Sequence, residues 1–108
     1  MNQTQNYGAP FSAYIRGTAE AIALRAAGGA GVVHYITDIS GGSDAANTQL
    51  FVDSGTTTLF NMTLGSANTV PFSHSFVTPL RGGINAAVRV RVGSATSLSW
   101  AFIGGYTI

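Results

Sequence analysis

Apolar and polar positions alternate along most of this chain with a period of two, the spacing of a half-buried strand rather than a helix. The cleanest case is residues 86–92, where Val88, Val90 and Val92 fall on one side and Arg89 and Arg91 on the other. The valines are expected to face a core and the arginines to face away from it. Around residues 32–40 the pattern changes. Val33, Tyr35, Thr37 and Ile39 alternate with Val32, His34, Ile36 and Asp38, so both sides carry apolar groups until Asp38. A strand apolar on both sides is covered on both sides, and this stretch is expected to be a central strand. Glycines bracket it, with Gly28, Gly29 and Gly31 before it and Gly41 and Gly42 after it.

The remaining segments read as further short strands. Residues 11–16 set Phe11, Ala13 and Ile15 against Ser12, Tyr14 and Arg16. Residues 18–27 are ambiguous, because their alanines, Glu20 and Leu24 are good helix formers. Ile22 and Leu24 nevertheless alternate with Ala21, Ala23 and Arg25, so a strand is expected there too. Residues 49–52 and 57–64 flank a hairpin-type turn at Asp53, Ser54, Gly55 and Thr56. Residues 72–78 place Phe72, His74 and Phe76 opposite Ser73, Ser75 and Val77. The last strand sets Leu98, Trp100 and Phe102 against Ser97, Ser99 and Ala101, which assigns Trp100 to the core. Loops are expected at residues 41–44, 65–71 and 79–85, where Gly, Pro, Ser and Asn gather. Residues 1–10 are polar, are broken by Gly8 and Pro10, and read as an extended arm, with a disordered tail as the alternative.

About eight strands with no convincing helix indicate a β-sandwich or barrel. Long polar connections favour a jelly roll over an up-and-down barrel. The expectation is therefore one all-β domain over residues 11–108, an antiparallel, jelly-roll-like β-sandwich preceded by an N-terminal arm over residues 1–10.

Composition bears on partners more than on fold. Only 8% of residues are charged, about a third of the usual share. All five basic residues are arginine: Arg16, Arg25, Arg81, Arg89 and Arg91. Lysine is the usual guard of sheet edges and the usual solubiliser, and its absence implies that much of this surface meets a partner. A net charge of +1 is too small for phosphate attraction to dominate, so no nucleic-acid partner is expected. No apolar run approaches the roughly 20 residues of a membrane-spanning helix, and no membrane partner is expected. The N-terminal residues lack the basic and apolar segments of a signal peptide, which places synthesis in the cytosol of the producing cell.

Candidate chemistry is sparse. His34 and Asp38 share a strand face but stand about 13 Å apart at the usual rise, too far for one ligand set. No serine sits in a nucleophile elbow, and Asp44 and Asp53 occupy turns, where aspartate is favoured for local hydrogen bonds. The glycine clusters precede no helix and are not phosphate loops. Neither an enzyme, a metal site nor a cofactor is expected. Arg89 and Arg91 can either grip an acidic partner or form a solvated strand face.

Two stretches carry a resemblance. Thr18-Ala19-Glu20-Ala21-Ile22-Ala23-Leu24 followed by Ala27-Gly28-Gly29-Ala30-Gly31-Val32-Val33-His34-Tyr35-Ile36 resembles the opening of small jelly-roll virion proteins of tailed bacteriophages. Thr78-Pro79-Leu80-Arg81-Gly82-Gly83 followed by Ala87-Val88-Arg89-Val90-Arg91-Val92 is similar to their penultimate loop and strand. The similarity covers roughly residues 18 to 106. It implies a capsid decoration (cement) protein, a homotrimer seated on the major capsid protein at the outside of the head and made in the host cytoplasm. Tyr7 and Pro10 of the arm, Tyr14, Arg89 and Arg91 are the residues assigned to contact with capsid or a neighbouring subunit. A tail or baseplate adhesin with the same sandwich, or a carbohydrate-binding module, stays open as the alternative.

Overall fold

The computed structural model describes residues 9–17, 20–43, 48–64, 72–93 and 98–108. These residues form eight strands and no helix: β1 (Ala9–Gly17), β2 (Ala21–Arg25), β3 (Val33–Ser43), β4 (Gln49–Ser54), β5 (Thr57–Thr63), β6 (Phe72–Ile84), β7 (Val88–Val92) and β8 (Ser99–Thr107). One sheet has the order β1-β8-β3-β6 and the other β2-β7-β4-β5. Every adjacent pair is antiparallel. β1 pairs with β8, β2 with β7, β3 with β6 and β4 with β5, the nested pairs of a single long hairpin rolled up on itself. Apart from the β4–β5 hairpin, each step along the chain crosses to the opposite sheet. That is a jelly-roll sandwich.

The core lies between the sheets. Ile36 and Ile39 from β3, Leu50 and Val52 from β4, and Val88, Val90 and Val92 from β7 are at most 1% exposed, together with Ala101 and Ile103 from β8. Each fully buried Val, Leu or Ile side chain contributes about 1.5–3 kcal/mol by leaving water. The three valines of β7 face inward as their alternation requires. β2 is a strand rather than a helix because its Ala21 and Ala23 are small enough to close one side of this core.

β3 is interior to its sheet, between β8 and β6, and its faces are set by an irregularity that alternation alone does not contain. The register shifts between Ile36 and Asp38 against both neighbours. The extra residue, Thr37, reverses the parity, so His34 and Ile36 point inward before it and Ile39 and Gly41 after it. The turn into β3 needs its glycines: Gly29 and Gly31 have φ of 114° and 76°, and the Val32 amide donates to the Gly29 carbonyl at 3.1 Å. Asn85, itself at φ 52°, closes this end by accepting the Gly29 amide on its side chain and donating its own amide to Val32.

Three expectations are corrected. Residues 41–43 belong to β3, and β6 continues through residues 79–84, where loops are expected. Their glycines mark close approach rather than turns. A Cβ on Gly41 would stand 2.6 Å from Val92 Cγ2 of the facing sheet, and one on Gly82 would stand 2.9 Å from Val88 Cγ1. Trp100 is not in the core: Ser99, Ala101 and Ile103 face inward, and Trp100 and Phe102 point out of the sandwich. At position 101 only a small side chain fits inside, since Ala101 lies opposite Gly41 where the sheets come close. Finally, β1 begins at Ala9, so Ala9 and Pro10 are strand residues, paired with Thr107 and Tyr106, rather than the end of an arm.

Candidate interaction faces

Register places four cross-strand rows on the outer face of the β1-β8-β3-β6 sheet. They read Pro10–Tyr106–Tyr35–Arg81, Ser12–Gly104–Asp38–Ser75, Tyr14–Phe102–Ser40–Ser73 and Arg16–Trp100–Gly42. Five aromatic rings therefore share one surface. Tyr35 and Tyr106 stack with centroids 5.1 Å apart and planes 11° apart, and Tyr14 leans on Trp100 at 6.3 Å and 40°. The glycines in the rows let the rings lie down. A Cβ on Gly42 would meet Trp100 Nε1 at 2.6 Å, and one on Gly104 would meet the Phe102 ring at 3.3 Å. Tyr14 is 61% exposed, while Tyr35, Trp100, Phe102 and Tyr106 are half-buried. Asp38 is the one acid in these rows, and its carboxylate accepts from the hydroxyls of Thr37 and Ser75. Aromatic rings with arginine and few other charges are the make-up of interface centres.

The opposite outer face, on β2-β7-β4-β5, is built differently. Asp53 sits beside an irregularity in the β4–β5 register, almost fully buried, with its carboxylate under two arginines. Arg89 Nε donates to Asp53 Oδ2 at 3.0 Å, Arg91 Nε donates to the same oxygen, and the Thr58 hydroxyl donates to Oδ1 at 3.1 Å. Arg91 also lies over the Phe51 ring at 4.4 Å and reaches Glu20 at 3.6 Å. Burial raises the pKa of Asp53, but hydrogen bonds from Arg91, Arg89 and Thr58 and the charge of Arg91 outweigh it, and the carboxyl is held below its ordinary range.

Of the residues assigned to partner contact from sequence, Pro10 and Tyr14 come together in the aromatic rows. Arg89 and Arg91 lie on the other side of the sandwich, where an acid of the same chain engages both. Tyr7 lies outside the described residues. The alternation pattern missed Trp100, Phe102, Tyr35 and Tyr106 as surface groups, because rings in strand positions read as core. The sequence does hold one signal: a glycine beside each of two rings, Gly42 directly across from Trp100 on the adjacent strand and Gly104 two residues from Phe102 on the same strand. It can be used only once the register is known.

The two histidines are separated. His34 is buried and bonded at both nitrogens. Nε2 donates to the Ala26 carbonyl at 2.7 Å, and Nδ1 lies 2.7 Å from the Thr107 hydroxyl, which donates to it when the ring is neutral. The imidazole thus ties the approach to β3 to the end of β8. His74 is exposed on β6 among Phe60, Phe72 and Phe76, with Phe76 edge-on at 4.7 Å. Among the described residues no three His, Asp or Glu side chains gather as a metal site requires. Compared with protein families, curated proteins and solved structures, the chain finds no match.

Proposed function

We propose that this chain is a structural virion protein, a capsid decoration protein that assembles as a homotrimer on the outside of a tailed-phage head. The surface it buries on assembly is the outer face of β1-β8-β3-β6. One observation carries this reading: five aromatic rings and two arginines share that face with a single internally satisfied acid. Contiguous apolar surface of this kind is costly to leave in water and complementary to another protein surface. The resemblance at residues 18–36 and 78–92 supplies the virion context, and the lysine-free composition supports a chain much of whose surface is covered. Arg89 and Arg91 then act mainly within the subunit, through Asp53.

A second reading has an observation of its own. Trp100 with Tyr14 tilted against it is also a platform on which a sugar ring can stack, which suits a tail adhesin or a carbohydrate-binding module. Electron cryomicroscopy of virions that carry the chain separates the two. Trimers on the outer head surface support decoration. Density confined to the tail tip, or absence of the chain from purified virions, overturns it.

A further inference from the structure

A groove at one end of the sandwich lies apart from the Asp53 cluster and meets the aromatic rows only at Arg81, their end on the edge strand β6. It runs between the β4–β5 turn and the end of β6, has a volume of about 460 Å³, and is lined by Ser54, Thr56, Thr57 and Leu59 on one side and Arg81 and Gly83 on the other. We propose that it binds an acidic sugar unit, a monosaccharide ring bearing a carboxylate.

The groove is built before any ligand arrives. The Gly83 amide donates to Ser54 Oγ at 2.8 Å, and the Gly55 amide donates to the Ala87 carbonyl at 2.8 Å. These two bonds fix the β4–β5 turn against the β6–β7 connection, so binding has little ordering cost. Its volume falls in the lower range of small-molecule sites and has room for one ring.

The lining selects the chemistry. Arg81 is exposed and has no acid partner among the described residues; its one hydrogen bond is a long one, 3.5 Å, from Nη1 to the Gly82 carbonyl. Arg89 and Arg91, by contrast, are both engaged by Asp53. A guanidinium without an acid presents the planar fork that fits a carboxylate. Ser54 is 7% exposed and accepts the Gly83 amide, keeping its own hydroxyl proton for a second partner. Thr56 and Thr57 add two more hydroxyls, and Leu59 gives an apolar patch for the C–H side of a ring. A bare carboxylate would leave the hydroxyl wall unused. A neutral sugar would leave Arg81 unused, and a phosphate dianion would meet only one cation. An acidic sugar uses all of them. This inference does not rest on the decoration reading and survives its failure.

The test is a titration of the ¹⁵N-labelled full chain with sodium glucuronate, with glucose and sodium acetate run alongside. Glucuronate should give saturable shifts at the Gly55, Thr56 and Gly83 amides, and glucose and acetate should each bind at least about tenfold more weakly. Arg81→Gln should weaken glucuronate by about tenfold or more, and Arg25→Gln, which removes the same charge from β2 of the other sheet, should leave it unchanged. No saturable shift, equal binding by Arg81→Gln, or acetate binding as tightly as glucuronate would overturn the proposal.

Discussion

Asp53 decides how the charges of this subunit are arranged. In a chain with four acids, one is buried to hold two arginines that would otherwise repel each other across alternate positions of β7. Its loss should cost about 2–3 kcal/mol, below the ~3–5 typical of a fully buried pair, because both arginines keep contact with water. Urea unfolding of Asp53→Ala at neutral pH measures this. The sign of the pH dependence follows from the lowered carboxyl pKa. The folded value lies below the unfolded one, so the stabilisation is complete above the unfolded pKa and is lost as pH falls through the folded pKa. The native chain should therefore lose stability below about pH 4, and Asp53→Asn should flatten that part of the curve. Trp100 makes a second residue-scale prediction. Because it lies on Gly42 outside the core, Trp100→Ala should cost a subunit about 1–2 kcal/mol, whereas Val90→Asp, at a fully buried position, should cost about 3 kcal/mol or more. Gly42→Ala should lift the indole off the sheet. As the chain has a single tryptophan, the emission of that variant should move to the red.

At the scale of elements, what could be read from the sequence was what depends on period alone. The number of strands, the inward valines of β7 and the central place of β3 follow from two-residue alternation and a two-sided apolar run. What could not be read depends on the partner strand. Gly41, Gly42, Gly82 and Gly83 carry the composition of loops, yet they lie within strands, three of them where a side chain would collide with the facing sheet, a neighbouring strand or Trp100. Trp100 and Phe102 look like core beside Leu98, until register shows that Ala101 meets Gly41 on the inside. Asp53 looks like a turn former, until the β4–β5 irregularity turns it under Arg89 and Arg91. Gly105 gives the sharpest check on this account. A Cβ there would fall on the carbonyl oxygen of Tyr35, a backbone atom that cannot swing aside. Gly105→Ala should therefore open the β3–β8 pairing, cost about 3 kcal/mol or more, and speed amide exchange along Tyr35 and Tyr106. A variant as stable as the native chain would show that the register is wrong.

At the scale of the molecule, the two outer faces divide the work: one is knitted by charges within the subunit, and the other offers rings. The eight residues before Ala9 extend the sequence from the strand that carries Pro10 and Tyr14, which places their point of attachment at the aromatic face. On the decoration reading proposed above, deleting residues 2–8 should leave the melting temperature nearly unchanged while weakening attachment to undecorated heads, since three N-terminal segments on one trimer would act together. On the proposed reading, the ring-bearing face is buried by assembly. This is tested most directly by light scattering behind a sizing column, at micromolar concentration, on the native chain and on a Tyr14→Ala, Trp100→Ala double variant. Assembly through this face should give three times the 11.1 kDa chain mass for the native protein and a folded monomer for the variant. A native protein that runs as a stable monomer, or a variant that still runs as a trimer, would contradict it.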